Sequence, residues 1–211
     1  MQELNRLKIC TNFILKNSHR GEYLSDRFSV DSRRINDNQV FISLEPDMVK
    51  NFININHAIS RGASGFITPF CITRKRIRTS IPFLILRDIK KIYVELFKSD
   101  LSNREPKTIT IGITGTNGKT STVLSLAQAL TYQNKKVGVI SSEGAGIHPN
   151  LDENEYTTPP IDICYKYLRS FIKRKCDYVI IECSSQGLHQ GRLDGIHLSL
   201  IHISEPTRLS R

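Results

Sequence analysis

The chain has 211 residues, 39% of them hydrophobic and 24% charged, with a formal net charge of +10. These proportions are near globular averages, and no apolar run approaches the roughly 20 residues that span a bilayer, so a soluble globular protein is expected and a membrane partner is not. The Lys and Arg residues are spread along the chain rather than gathered on one helix face, which speaks against a nucleic-acid partner and suits polyanionic substrates.

Leu4, Leu7, Cys10, Phe13 and Ile14 recur at near-helical spacing, so an opening helix is expected to end near Asn17. The first residues lack the continuous apolar stretch and cleavage site of a secretory signal, and a cytoplasmic location is expected. Val40 to Leu44 reads as a strand, Phe52 to Arg61 as a helix closed by Gly62, and Gly65 to Thr68 and Pro82 to Leu86 as further strands. Asp88 to Leu101 carries Ile89, Ile92, Tyr93, Leu96 and Phe97 on one helical stripe, and Ser102 to Pro106 interrupts it with polar and helix-stopping residues. A domain boundary is expected there, giving a first domain over 1–105 and a second beginning at 106.

From Thr108 the pattern becomes strand, glycine turn and helix, with Ile109 to Ile113 as a buried strand and Ser121 to Gln133 as a helix. Val137 to Ile140 is a strand, Ile161 to Lys175 a helix and Tyr178 to Ile181 a third strand. This alternation predicts α/β architecture with a mostly parallel, doubly wound sheet. The cysteines Cys10, Cys71, Cys164, Cys176 and Cys183 form no C-x-x-C pair and no Cys/His cluster with zinc spacing, which argues against a disulfide framework and a structural metal.

The segment Gly115-Thr116-Asn117-Gly118-Lys119-Thr120-Ser121 sits between the buried strand and the helix. Gly115 and Gly118 permit backbone conformations and close approach that a side chain would hinder, while exposed N–H groups and the helix dipole favour phosphate oxygens. Lys119 is placed to neutralise β- and γ-phosphate charge, and the Thr120 hydroxyl to join a Mg²⁺ shell. The residue five before Gly118 is Ile113, so the spacing departs from G-x-x-x-x-G-K-[ST]. A helix-capping turn with a chance lysine is the structural alternative. Glu182, just after a predicted strand, falls at the carboxyl edge of the sheet, where a carboxylate can hold a second Mg²⁺ between nucleotide and substrate, the alternative being a strand-end surface acid.

In this setting GTNGKTS is similar to the ATP loop of the Mur ligases and of their relative folylpolyglutamate synthase. Two downstream segments choose between them: Tyr156-Thr157-Thr158-Pro159 resembles the T-T-P segment, and Ile181 to Leu188 resembles the E-V-S-S-H-G/A-L segment, of the MurE group of Mur ligases. In the first domain, Val30-Asp31-Ser32-Arg33-Arg34, Val40 to Leu44 and Ala58 to Ala63 resemble that family's uridine-binding domain. The likeness runs from about Val30 to His197. It departs from the pattern at Gln186, which stands in place of the usual histidine, and at 45–51, which lacks the longer glycine-containing loop.

The resemblance implies a small N-terminal α/β uridine-binding domain followed by a truncated P-loop-type central domain, of which 106–197 is the N-terminal part. ATP and Mg²⁺ are the implied cofactors. Val30, Ser32, Thr157, Thr158, Ser184, Gln190 and Arg192 match positions that hold a UDP-N-acetylmuramoyl dipeptide; as isolated polar residues several read equally as caps or loop contacts. Lys119 and Glu182 are the implied catalytic residues, with Thr120 and Glu182 on the metal. The implied reaction is attack of a D-glutamyl carboxylate on the ATP γ-phosphorus, then of an incoming amino acid's amine on the acyl phosphate, with meso-diaminopimelate the commoner amino acid in the group. His148 and His189 have no identifiable partner and are not expected to act as bases. A monomer is expected. Two rivals remain: a P-loop ATPase or kinase of another pathway, and a non-catalytic UDP-sugar-binding module.

Leu198 to Arg208 read LSLIHISEPTR, which resembles the in-frame translation of a transposase adapter used in making DNA sequencing libraries. Residues 198–211 are therefore expected to be a non-native tail, although Leu198 to Ile201 also has strand character. A carbamylated lysine and an amino-acid-selecting domain, both implied by the family, would lie beyond His197, so the 211-residue chain is expected to be inactive.

Overall fold

The computed structural model describes residues 2–18, 24–70, 80–87, 89–102 and 108–204. Cys71, residues 103–106 of the expected boundary and the tail after Ser204 lie outside them. The chain divides into two units, Met1–Asn103 and Arg104–Arg211.

In the first unit, helix α1 (Gln2–Asn17) buries Cys10 and Ile14 completely, the two sites one helical turn apart. A 3-10 turn at Leu24–Arg27 leads into the short strand β1 (Phe28–Ser29), and a second 3-10 turn covers Ser32–Arg34. Strand β2 (Val40–Ile42), helix α2 (Met48–Ser60), strands β3 (Gly65–Thr68) and β4 (Phe83–Ile85) and helix α3 (Ile89–Ser102) follow. The strands form a parallel sheet in the order β1-β2-β3-β4. Both faces of β2 are buried, as the near-continuous apolar run of a parallel strand requires. Phe41 packs with Ile55 and Ala58 of α2, while Phe28, Tyr93 and Phe97 form an edge-to-face aromatic cluster between β1 and α3.

Helix α2 begins at Met48, earlier than the Phe52 expected from the sequence. The Asp47 carboxylate caps it, accepting from Lys50 N at 2.9 Å, and Asn51 inside the first turn donates to Glu45 O at 3.0 Å while accepting from the Thr68 hydroxyl at 3.1 Å. Of these ties only the one from Thr68 to Asn51, 17 positions apart, is out of reach of local sequence reading. Gly62 closes the helix at φ +92°.

The second unit is built on strand β5 (Ile109–Gly115), helix α4 (Lys119–Tyr132), strands β6 (Val137–Ser141), β7 (Gly144–Ile147) and β8 (Asn150–Asp152), helix α5 (Ile161–Lys173), strand β9 (Tyr178–Glu182), the short helix α6 (Ser185–His189) and strand β10 (Leu200–Ser204). The sheet order is β10-β5-β9-β6-β7-β8. Strands β10, β5, β9 and β6 are parallel, and β7 and β8 extend the sheet as antiparallel neighbours.

Alternate residues of the central strands face opposite helices. Ile180 of β9 and Val137 and Val139 of β6 pack with Val123 and Ala127 of α4, whereas Val179, Ile181 and Ile140 pack with Leu168 and Phe171 of α5. A helix therefore covers each face, which is the doubly wound arrangement. The β7–β8 hairpin went unanticipated because glycines at Gly144 and Gly146 suppress the apolar alternation that marks a strand. Close packing explains them: a Cβ on Gly146 would lie 2.6 Å from Asn150 O.

Candidate functional site

Three neighbouring parallel strands, β5, β9 and β6, bring their carboxyl ends to one edge of the sheet, where α/β proteins gather ligand-binding groups. The first supplies a loop. Gly115 has φ +142° and Gly118 φ +74°, backbone conformations that suit glycine, and Gly118 is the N-cap of α4 without a side-chain cap bond. Thr116, Asn117 and Gly118 are exposed, and Ser121 is exposed on the first turn of α4. The helix begins at Lys119, two residues before the expected start, because the Thr122 N–H already donates to Gly118 O at 2.9 Å. Lys119 Nζ folds back over the loop, donating to Gly115 O at 3.0 Å and Thr116 O at 3.3 Å.

The second strand supplies a carboxylate. Glu182 is the last residue of β9, paired with Ile113 of β5, and is 2% exposed. The Thr120 hydroxyl lies 3.0 Å from Oε1 and 3.1 Å from Oε2. The third strand supplies Ser142, just past β6. Its N–H and its hydroxyl both donate to Glu182 Oε2 at 3.1 Å, and its Oγ is 3.0 Å from the Thr120 hydroxyl. Ser142 escaped sequence reading as one of two consecutive serines after a strand. Its position at the carboxyl end of a parallel strand was the available signal.

Beside this cluster, the buried Thr158 hydroxyl donates to Glu182 O at 2.7 Å and accepts from Ser184 N at 2.9 Å. Ser184 in turn caps α6, accepting from Gly187 N at 3.0 Å. Arg192 Nη1 donates to Thr158 O at 2.6 Å, its Nε donates to Gln190 Oε1 at 2.8 Å, and its guanidinium lies 5.6 Å from the centre of the Tyr156 ring. Thr157 is half-buried, and Gln190 and Gln186 are exposed. Thr158, Ser184, Gln190 and Arg192 thus form one connected network at the end of β9, and the Thr158 hydroxyl is committed to holding the chain turn between Glu182 and Ser184.

Val30 and Ser32 belong to the first unit and are described by themselves. Val30 is half-buried, and the buried Ser32 hydroxyl lies 3.2 Å from His57 Nδ1. Asp31 accepts from the Arg33 backbone N–H at 3.0 Å and from its Nε and Nη2 at 3.0 and 2.8 Å. The Arg33 side-chain bonds hold the Asp31 carboxyl below its usual range against the opposing effect of partial burial. His57, on α2, meets Ser32 across 25 positions, a contact that no local pattern signals.

Comparison with known proteins shows what the chain is similar to. Residues 113–203 match the Mur ligase middle domain. The chain is 32% identical over 183 residues to the UDP-N-acetylmuramoyl-L-alanyl-D-glutamate--2,6-diaminopimelate ligase of Janthinobacterium sp. (strain Marseille), an alignment covering 84% of this chain and 36% of that protein. Identity to the protein of the same name from Coxiella burnetii is 29% over 191 residues, covering 90% and 38%. A solved structure of a ligase with this name superposes with a TM-score of 0.66 at 28% identity, covering 87% of this chain and 37% of the other. The chain thus spans a little over a third of the length of the relatives it matches.

Proposed function

With a Mur ligase middle domain over residues 113–203, this chain belongs to the Mur ligase family, and we propose that its parent protein is an ATP-dependent amide ligase. The proposed reaction adds the third amino acid to UDP-N-acetylmuramoyl-L-alanyl-D-glutamate during peptidoglycan precursor synthesis. Meso-diaminopimelate is the proposed amino acid because the matched relatives are named for it.

One observation carries the reading: a hydroxyl from the first turn after a glycine loop meets a buried carboxylate at the end of a neighbouring parallel strand, Thr120 on Glu182 at 3.0 Å. This donor set fits Mg²⁺, a hard cation that takes oxygen ligands and is commonly held by one or two carboxylates plus substrate phosphates. Substrate phosphates and water are the proposed further ligands. When bound, Mg²⁺ supplies charge neutralisation at the phosphates.

The chain's own groups account for the rest. Exposed loop N–H groups and the N-terminus of α4 accommodate phosphate oxygens, and Lys119 adds a cation that must exchange loop carbonyls for phosphate. The proposed chemistry forms a bond from the D-glutamyl carboxylate oxygen to the γ-phosphorus as the bond to ADP breaks. The incoming amine then attacks the acyl carbonyl, loses a proton and displaces phosphate. Thr157, Ser184, Gln190 and Arg192 are proposed to orient the muramoyl peptide, with Thr158 supporting them, and Val30 and Ser32 to hold the uridine end. Residues 198–211 are proposed to be a non-native tail on the adapter-like run Leu198 to Arg208, although 198–203 also fall inside the stretch matched to the middle domain, and no ligation is expected from the 211-residue chain alone.

Calorimetry of ADP with this chain tests the nucleotide site. ATP consumption by the full-length protein, with and without UDP-N-acetylmuramoyl-L-alanyl-D-glutamate, tests the reaction. Turnover indifferent to the muramoyl peptide would favour another P-loop ATPase or kinase, and UDP-sugar binding without ATP affinity would favour a non-catalytic module.

A further inference from the structure

We propose that Ser142 is a positioning residue that orients Glu182 and Thr120 toward a divalent cation. The inference rests on the nucleotide-site reading above. Glu182 is 2% exposed, so its carboxyl oxygens depend on protein donors, and Ser142 supplies two of them to a single oxygen, N–H and Oγ each 3.1 Å from Oε2. Holding Oε2 from one side fixes the carboxylate plane against Thr120, whose hydroxyl lies 3.0 Å from Oε1 and 3.1 Å from Oε2.

Proton accounting gives Ser142 a second task. The Thr120 hydroxyl has one proton and is 3.0 Å from both Glu182 Oε1 and Ser142 Oγ. While that proton points at Glu182, it occupies the carboxylate edge a cation would take. Rotated onto Ser142 Oγ, it frees both the Glu182 oxygen and a Thr120 lone pair for the cation. Ser142 can accept it while donating its own proton to Oε2, so no polar atom of the three is stranded in the cation-bound arrangement. Ser142 is itself exposed, so filling the core does not explain its place.

Mn²⁺ binding followed by electron paramagnetic resonance, with ADP present, tests this on the 211-residue chain. Ser142→Ala is expected to weaken Mn²⁺ binding about tenfold, the scale seen when a residue supporting a metal ligand is removed, while Ser142→Thr stays within about twofold of the parent. ADP affinity in EDTA is expected to be the same in all three, with unchanged circular dichroism. Should Ser142→Ala fail to fold, Ser142→Cys, of similar size but a weak donor, takes its place with the same expected loss. A Mn²⁺ affinity unchanged in the alanine or cysteine variant overturns the proposal, as does an equal loss in Ser142→Thr. Failure of the parent chain to bind ADP even in EDTA would instead sink the nucleotide-site reading, and this inference with it.

Discussion

Thr120 and Glu182 come from different strand-to-helix connections, yet the threonine hydroxyl lies almost equidistant from both carboxylate oxygens, at 3.0 and 3.1 Å. The register that pairs Glu182 with Ile113 produces this arrangement, because β5 runs on to Gly115 and its loop enters α4 at Lys119, beside the end of β9. Replacing Glu182 with Gln keeps the shape but removes the charge and sets an amide among hydroxyl and N–H donors. In Glu182→Gln the increase in ADP affinity on adding Mg²⁺ is expected to vanish, while affinity in EDTA persists. Calorimetry in the two buffers reads both, and an undiminished Mg²⁺ effect would remove Glu182 from the cation site.

Lys119 tests the loop independently of the metal. Its ammonium bonds loop carbonyls at 3.0 and 3.3 Å, so Lys119→Ala loses both the cation and a tie that organises the turn. A charged hydrogen bond contributes about 1.5–3 kcal/mol, which corresponds to a loss of roughly ten- to a hundredfold in ADP affinity. Calorimetry at fixed ionic strength measures it. Unchanged affinity would show that the glycine loop does not grip the terminal phosphates.

What the sequence made legible follows from where the determining contacts lie. The buried strand at Ile109 to Ile113, the glycine turn and the following helix are local, and their residues announced that strand, turn and helix. Glu182 could be placed by its position after an apolar run. Ser142 and His57 could not, because their partners Glu182 and Ser32 become neighbours only through strand order and helix packing. The same limit applies to Thr158, a polar loop residue in sequence that is 1% exposed and hydrogen-bonded across 24 positions to Glu182 O. Leu198 to Ile201 showed strand character, and β10 pairs in parallel with β5, but Leu200, Ile201 and Ile203 remain 54%, 60% and 62% exposed. Main-chain pairing alone accounts for that strand.

Thr158→Val is nearly isosteric and strands Ser184 N and Glu182 O, each of which Thr158 now satisfies. Leaving buried polar groups unpaired costs about 1–3 kcal/mol, and urea unfolding should show a lower midpoint with little change in slope. An unaltered midpoint would mean that water replaces the hydroxyl and that Thr158 is not the clasp of the Glu182–Ser184 turn.

Gly138 tests the packing of α5 on the sheet. A Cβ there would lie 2.6 Å from the Phe171 ring, well inside contact distance. Gly138→Ala is expected to destabilise the chain by about 1–3 kcal/mol through overpacking, and Gly138→Ala with Phe171→Leu to recover part of it. Strict additivity of the two substitutions in urea titrations would contradict the close contact.

The buried thiols impose a pH limit of definite sign. Burial pushes Cys183 from its ordinary 9.0 up to about 11 and Cys10 up to about 12, and it raises Cys164 and Cys176 as well. Above the ordinary thiol range the unfolded chain releases protons that the folded chain retains, so folding becomes less favourable as pH rises. The thiol contribution is fully present below pH 9 and is lost as pH climbs through about 11 for Cys183 and about 12 for Cys10. Urea midpoints should therefore fall between about pH 8 and about pH 10, and Cys183→Ala should make that fall shallower, even though the cavity lowers its overall stability. At about pH 8 the native thiols of Cys10, Cys164, Cys176 and Cys183 should react with a disulfide reagent far more slowly than in urea, since burial limits access and the thiolate is the nucleophile. Reaction of these four at the same rate in native and unfolded chain would refute the burial on which the pH dependence depends.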